Sequence, residues 1–282
     1  MSSNLDTTNS REAHEAPTAR PKNLRLWIKH RLWPGVKWVS RDKARIRHLF
    51  LRRTAAERIK TLDIGCGNGY FTYHAARLGS CAIGITMAER ETRRCEEMRR
   101  YLSVPEETLR FLTTRLQDFA VQPEHAGHFD QILMFDVLEH IMDHDQALEL
   151  AKGMLTTDGF LFVSVPNRDY ERDPREAHVE RHETGWHVRH GYSFEQLEAL
   201  LDQHGFEPID RRRFGTKGTK LIVSIQRKLL RERVAPSVIL LPVFQALAWL
   251  LAPWKDPHTL LVIARKRGDS TVARQATTPA SP

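Results

Sequence analysis

The chain has 282 residues, of which 41% are hydrophobic and 28% are charged. This length allows one substantial α/β core with additional arms or insertions, and the composition is typical of a soluble globular protein. The net charge is +8, and the three cysteines are an odd number without metal-type spacing. The cysteines therefore argue against a disulfide scaffold and favour a reducing compartment.

The first 59 residues divide into a tail and an arm. Residues 1–20 are polar and lack an apolar run, which predicts a disordered tail and no signal peptide. Residues 21–59 form a basic amphipathic arm with three tryptophans, and residues 20–60 hold 14 Lys and Arg against two Asp and Glu. Because the rest of the chain is nearly neutral, we expect the arm to meet an anionic partner, either phospholipid head groups or nucleic acid.

Apolar strands alternate with amphipathic helices from residue 60 to residue 215. This alternation predicts an α/β core, a Rossmann-like seven-stranded mostly parallel sheet with helices on both faces. The predicted strands are 60–65, 81–86, 109–113, 129–135, 159–165, one from about 206, and 259–264; the predicted helices are 70–78, 88–101, 145–155 and 193–204, with Ser193 as a cap. Residues 257–267 return to the core as its last strand, and residues 268–282 are predicted to be a disordered tail.

A hydrophobic insertion, residues 216–256, precedes the last strand. Its first half is basic, and its second half, residues 237–254, contains 18 residues without a charge. Such a run could span about 27 Å as a helix. However, Pro242 and Pro253 interrupt it, and a single crossing would leave the last strand on the wrong side of the bilayer. We therefore expect a monotopic hairpin in one leaflet; a buried extra helix or a dimer seam is the alternative.

A strand that ends at Asp63 runs into the pattern Gly65-x-Gly67-x-Gly69. Glycines at these positions let a backbone approach a ligand closely, and the following helix turns its positive end toward a carboxylate. The spacing differs from the GxGxxG pattern of dinucleotide-binding proteins, which disfavours a dehydrogenase. The alternative is a tight strand-to-helix turn without a ligand.

Three motifs, residues 62–69, 129–140 and 158–167, occur in an order and spacing that resemble the class I S-adenosylmethionine-dependent methyltransferases over about residues 60–210. The resemblance implies S-adenosyl-L-methionine as the cofactor. It also implies which residues line that cofactor. They are Asp63, Gly65, Gly67, Thr86, Gln117, Asp118 and Phe135.

One position departs from the family pattern. Most members end the second strand with an acid that binds the cofactor ribose, whereas this chain has Thr86. Together with residues 115–119, this threonine resembles the cyclopropane-fatty-acid synthase and sterol methyltransferase branch, which implies that Gln117 and Asp118 lie at the adenine. Glu89 is a candidate substitute for the missing acid; otherwise backbone and water would hold the ribose.

The candidate catalytic residues are Glu139, His140 and His190. Asp136, Glu139 and His140 would share one face of a helical turn, and histidine suits a base near neutral pH. His187 and His190 lie on a loop predicted to cap the pocket. This arrangement resembles the divalent-metal site of ubiquinone-type and small-RNA 2'-O-methyltransferases, so whether a metal binds stays open. The alternative is that Glu139 and His140 only cap the turn and the loop histidines are surface residues.

These patterns favour a membrane-associated methyltransferase that acts on a lipid, an isoprenoid-linked compound or another amphipathic acceptor, most readily on oxygen. The expected location is cytoplasmic, peripheral or monotopic on the inner face of the membrane, with an anionic membrane surface as partner. Three alternatives remain: a lipid C-methyltransferase or cyclopropane-type synthase, an RNA methyltransferase, and a non-catalytic membrane-bound scaffold. Nucleic acid is disfavoured because the uncharged insertion has no use on RNA, and the oligomeric state stays open.

Overall fold

The computed structural model describes residues 46–51, 59–170, 179–180, 182–183, 186–215, 243, 246–247 and 257–268. The predicted tails, most of the basic arm and nearly all of the insertion lie outside the described residues. Within the described ranges, every helix is too short or too polar to cross a bilayer.

Seven strands form the sheet. They are β1 (Lys60–Ile64), β2 (Cys81–Thr86), β3 (Leu109–Thr113), β4 (Phe129–Phe135), β5 (Leu155–Pro166), β6 (Phe206–Phe214) and β7 (Thr259–Lys266). Their order is β3-β2-β1-β4-β5-β7-β6. β7 runs antiparallel to both β5 and β6, and the other neighbouring pairs are parallel. The predicted Rossmann-like, mostly parallel sheet is therefore confirmed.

Within the described residues, five α-helices lie between the strands. They are α1 (Tyr70–Arg77), α2 (Glu89–Tyr101), α3 (Leu116–Ala120), α4 (His144–Met154) and α5 (Phe194–Gln203). The predicted cap of α5 is confirmed, since the Ser193 side chain accepts a hydrogen bond from the Gln196 amide and the Gln196 side chain accepts one from Ser193. Helix α3 was not predicted, because five residues are too few to show a helical period.

Strand β5 begins at Leu155, four residues earlier than the sequence predicts. Leu155 pairs with Phe129 of β4, and the register then shifts so that Gln131 faces Phe160. The irregularity lets the polar residues between Leu155 and Phe160 bulge out of the ladder, which hides this part of the strand from a pattern-based prediction.

The end of the basic arm packs onto the sheet. Ile46 and Phe50 are buried, and the Phe50 ring lies 6.0 Å from the Phe135 ring, stacked at 12°. The Leu51 amide donates to Gln131 Oε1 at 2.9 Å, and Gln131 Nε2 donates to Thr61 Oγ1 at 2.8 Å. Residues 46–51 are thus part of the folded core, because their apolar side chains and backbone both find partners there.

The sheet order sets the position of the functional site. The chain proceeds from β1 through β2 to β3 on one side, and from β4 to β5 on the other. The direction of winding therefore changes between β1 and β4, and a crevice opens at the carboxyl ends of these strands. The loops that follow β1, β2, β3 and β4 all reach this edge.

Candidate functional site

The loop after β1 is built from left-handed glycines. Gly65, Gly67 and Gly69 have φ angles of 71°, 52° and 73°. The amides of Gly65 and Cys66 both donate to the Ile85 carbonyl, at 2.9 and 3.0 Å. The loop is therefore fastened to the end of β2 in a conformation that other residues rarely adopt.

The three glycines differ in what surrounds them. A Cβ on Gly65 would lie 2.6 Å from Val137 Cγ2, and one on Gly69 would lie 2.7 Å from the Phe111 ring. A Cβ on Gly67 would meet nothing closer than Glu91 Oε2, at 3.8 Å. Gly65 and Gly69 thus allow close packing within the protein, whereas a Cβ on Gly67 would make only ordinary van der Waals contacts, so packing within the protein does not require a glycine there.

Asp63 lies near the end of β1, directly before this loop. It is 2% exposed, and its Oδ2 accepts a hydrogen bond from Thr72 Oγ1 at 2.6 Å. Burial raises the pKa of Asp63 to about 7, although the hydrogen bonds from Thr72 act in the opposite direction. The carboxyl group therefore ties α1 to the end of β1, and its predicted contact with the cofactor stays a prediction.

The carboxylate that faces the glycine loop is Glu91. Thr86 lies at the end of β2 as predicted, and its hydroxyl accepts from the Ala88 amide at 3.2 Å. Glu89 is exposed, whereas Glu91 is half-buried with Oε2 beside Gly67. Burial is the main cause that raises the pKa of the Cys95 thiol, and the negative charge of Glu91 is the second. From the sequence, Glu89 was the candidate substitute for the missing ribose-binding acid. The sequence feature that could have indicated Glu91 is that it is a second acid in the first turn of α2.

Gln117 and Asp118 lie in the first turn of α3, just beyond the carboxyl end of β3. Both are exposed, and Gln117 Nε2 lies 3.5 Å from Gln146 Oε1. They are at the same sheet edge as the glycine loop, with side chains open to a ligand. Their role at the adenine stays a prediction.

Phe135, the last residue of β4, forms an aromatic wall at the point where the winding changes. Its ring lies 4.6 Å from the Phe71 ring of α1 and stacks on Phe50. Such a surface suits an apolar or aromatic group beside the glycine loop.

The prediction that Asp136, Glu139 and His140 share one face of a helical turn is wrong. Asp136 has a φ of 56°, and the 3₁₀ turn that follows covers only Leu138–His140. The Asp136 amide donates to the Ser164 carbonyl at 2.9 Å, and Asp136 Oδ1 accepts from Ser164 Oγ at 3.1 Å. Asp136 is thus held against β5 in a conformation that costs about 1–3 kcal/mol.

Three side chains converge at this edge. Glu139, His140 and His187 each offer one ligand atom, and these atoms lie within 4.8 Å of one another. The two imidazole rings are 4.7 Å apart, and Glu139 is fully buried. His190, the loop histidine predicted to be catalytic, is exposed and lies outside this group. The spacing of the loop alone could not decide between the two histidines.

Comparison with known proteins identifies the family of this chain. The sequence pattern of a family described as a methyltransferase domain matches residues 36–210. The ubiquinone biosynthesis O-methyltransferase of Actinobacillus pleuropneumoniae is 33% identical over 111 residues, 39% of this chain and 46% of that protein. The mitochondrial enzyme of the same name from Bos taurus is 26% identical over 110 residues, 39% of this chain and 29% of that one. The match thus spans less than half the length of these relatives.

Solved structures share the fold. A SAM-dependent methyltransferase from Archaeoglobus fulgidus has a TM-score of 0.56 and 15% identity, with 86% of this chain and all of that chain covered (100%). The [4+2]-cyclase SpnF also has a TM-score of 0.56, with 19% identity over 80% of this chain and 82% of that one. Since a cyclase shares the architecture, the fold alone does not define the reaction. The family match is more specific than the fold: this chain belongs to the methyltransferase domain family.

Proposed function

We propose that the protein is an O-methyltransferase that acts on an amphipathic hydroxyl compound at a membrane surface. The observation that carries this proposal is the convergence of Glu139, His140 and His187 at the carboxyl edge of the sheet. A hydroxyl is a weak nucleophile until its proton is removed, and a buried carboxylate with two imidazoles is suited to that task.

The two halves of the crevice would divide the reaction between them. The uncrowded backbone at Gly67, the carboxylate of Glu91 and the ring of Phe135 fit the cofactor. When bound, S-adenosylmethionine supplies the methyl group as an electrophilic sulfonium. His140 and His187 would orient the acceptor hydroxyl and take up its proton, while the fixed backbone of Asp136 keeps the turn that carries His140 against β5.

The same three side chains also fit a divalent cation. One carboxylate and two imidazoles are a common donor set for such ions, and His140 Nδ1 is buried without a hydrogen-bond partner among the described residues. Glu139, His140 and His187 would hold the ion. Its chemistry there would be to lower the pKa of the acceptor hydroxyl.

The similarity to ubiquinone biosynthesis O-methyltransferases supports oxygen as the atom methylated. It covers only part of those proteins, so the acceptor itself is proposed only as a class.

The position of the insertion supports action at a membrane. Phe214 pairs with Thr259, and Thr259 pairs with Pro166 at the carboxyl end of β5. The Asn167 side chain donates to the Pro257 carbonyl at 2.9 Å. Residues 216–256, with their 18 uncharged residues, therefore leave and rejoin the core at the edge where the candidate site lies. An interfacial segment there would bring a membrane-dissolved acceptor close to the site.

The chemical part of the proposal is tested by incubating the full chain with methyl-labelled S-adenosylmethionine and a bacterial lipid extract, with Mn²⁺ or with a chelator. We expect a labelled lipid whose mass increases by one methyl group on oxygen, and less product with the chelator. A label on carbon or in a cyclopropane ring would contradict O-methylation. Label in added RNA but not in lipid would contradict the lipid acceptor.

The membrane part is tested separately by co-sedimentation with vesicles of anionic or zwitterionic phospholipid. We expect binding to anionic vesicles that weakens as salt increases, because the arm is basic. Equal absence of binding to both vesicle types would contradict the membrane proposal and leave the O-methyltransferase proposal to be judged on the product.

A further inference from the structure

Arg189 connects the two segments that carry the converging side chains. Its Nη2 donates to the Met142 carbonyl at 2.8 Å, and its Nη1 donates to the Leu138 carbonyl at 3.1 Å. Leu138 and Met142 bracket the turn that bears Glu139 and His140. The guanidinium therefore spans that turn from one side to the other.

The loop around Arg189 is fixed by further bonds on either side. The Val188 amide donates to the Glu139 carbonyl at 2.8 Å, directly after His187. Arg189 Nη1 also donates to the Tyr192 hydroxyl at 2.6 Å, and that hydroxyl lies 2.6 Å from His144 Nδ1 at the start of α4. Arg189 thus lies at the centre of a network that joins the loop, the turn and α4.

We propose that Arg189 is a positioning residue that holds His187 at the distance from Glu139 and His140 that a shared ligand or proton requires. The inference rests on the proposed function of those three side chains. Arg189 does not belong to the ligand group, so it acts through the backbone on both sides of it. The planar guanidinium reaches two carbonyls and a hydroxyl at once.

A lysine at position 189 would make these contacts only in part. An ammonium group is a compact point charge on a flexible stem, whereas the three acceptors of Arg189 require donors in a fixed fork. Outer-shell partners of metal ligands typically change metal affinity by about 10- to 100-fold when they are removed. We expect Arg189→Gln to fall within that range and Arg189→Lys to be intermediate.

The test uses the full chain as wild type, Arg189→Gln, Arg189→Lys and the control Arg265→Gln, which removes an exposed ion pair with Glu207 far from the ligand group. Two quantities are measured without acceptor. The first is Mn²⁺ affinity by calorimetry. The second, which needs no metal, is the nuclear Overhauser effect between the rings of His140 and His187, which lie 4.7 Å apart in the structure. S-adenosylhomocysteine affinity and thermal unfolding show whether the variant is folded.

We expect Arg189→Gln to bind Mn²⁺ about 10- to 100-fold more weakly and to lose the effect between the two rings, with S-adenosylhomocysteine affinity unchanged. Arg265→Gln should behave as wild type. If Arg189→Gln loses the ring contact and the wild type binds no Mn²⁺, the positioning role would be supported and the proposed metal site would be overturned. An unchanged ring contact in folded Arg189→Gln would overturn the positioning role.

Discussion

The cofactor half and the acceptor half of the crevice are built in different ways. The cofactor half is shaped mainly by backbone: the glycine loop is fastened to Ile85 and set by its φ angles, with the Glu91 side chain beside it. The acceptor half is made of side chains from distant parts of the chain. Contacts such as the hydrogen bond from Arg189 to the Leu138 carbonyl, 51 residues apart, bring these parts together. A backbone site depends on glycines at fixed spacing, whereas a side-chain site depends on every contact that brings its loops together.

This difference has a consequence for how each half fails. A substitution in the glycine loop should disturb packing and cofactor binding together. A substitution in the acceptor half should reduce turnover and leave cofactor binding intact. The variants below separate these two outcomes.

Gly65→Ala should have the largest effect. The new Cβ would lie 2.6 Å from Val137 Cγ2 at a φ of 71°, and these two strains together lower the free energy of unfolding by about 2 to 4 kcal/mol. Urea denaturation measures this loss. The double variant Gly65→Ala/Val137→Ala should recover the steric part, and an equal loss in both variants would show that Val137 is not the cause.

His187→Gln should reduce kcat by about 100-fold, because it removes one member of the converging group. Affinity for S-adenosylhomocysteine should not change. The matched variant His190→Gln, at an exposed position of the same loop, should remain within about twofold of wild type. If His190→Gln loses as much activity as His187→Gln, the catalytic role predicted for His190 from the sequence would be supported instead.

Glu91→Gln should weaken S-adenosylmethionine binding by about tenfold, since a lost hydrogen bond to a charged group contributes about 1.5 kcal/mol. The control Glu89→Gln changes an exposed acid in the same helical turn. Calorimetry of S-adenosylmethionine binding to both variants shows which of the two acids contributes to the affinity. A larger effect at Glu89 would restore the residue that sequence reasoning favoured.

The smallest expected effect is a pH dependence of stability at His204. Burial acts to lower the pKa of His204, but the hydrogen bonds of its ring to Glu149 and Asp145, both 2.7 Å, overcome this and raise the pKa. The stabilisation is therefore complete below the unfolded pKa and is lost as pH rises through the folded pKa.

Measuring Tm at pH 5.5 and pH 8.5 for wild type and His204→Gln tests this direction. The difference in Tm between the two proteins should be about 2 to 4 °C larger at pH 5.5. A larger difference at pH 8.5 would contradict the raised pKa.

Most of the fold could be predicted from local sequence patterns. Strand period, the glycine spacing and the Ser193 cap each depend on neighbouring residues, so β1 to β4 and the core helices were placed within one or two residues. The irregular start of β5 and the short α3 were missed, because a register shift and a five-residue helix leave little periodic signal.

The candidate site was predictable only in part. The glycine loop is local in sequence and could be identified directly. The positive φ of Asp136, the position of Glu91 beside Gly67 and the choice of His187 over His190 all depend on tertiary contacts. A one-dimensional pattern does not contain those distances, so it could name the segments but not the side chains that meet.

We expect the uncrowded backbone at Gly67 to receive the cofactor, and calorimetry with S-adenosylhomocysteine on a pair of glycine variants measures this. Gly67 and Gly127 have φ angles of 52° and 58°, and a Cβ on exposed Gly127 would meet nothing within 4 Å. Alanine should therefore cost similar stability at both positions. We expect Gly67→Ala to lower the affinity for S-adenosylhomocysteine by at least about tenfold and Gly127→Ala to bind it as the wild type does. Equal affinities in the two variants, or no binding by wild type, would contradict it.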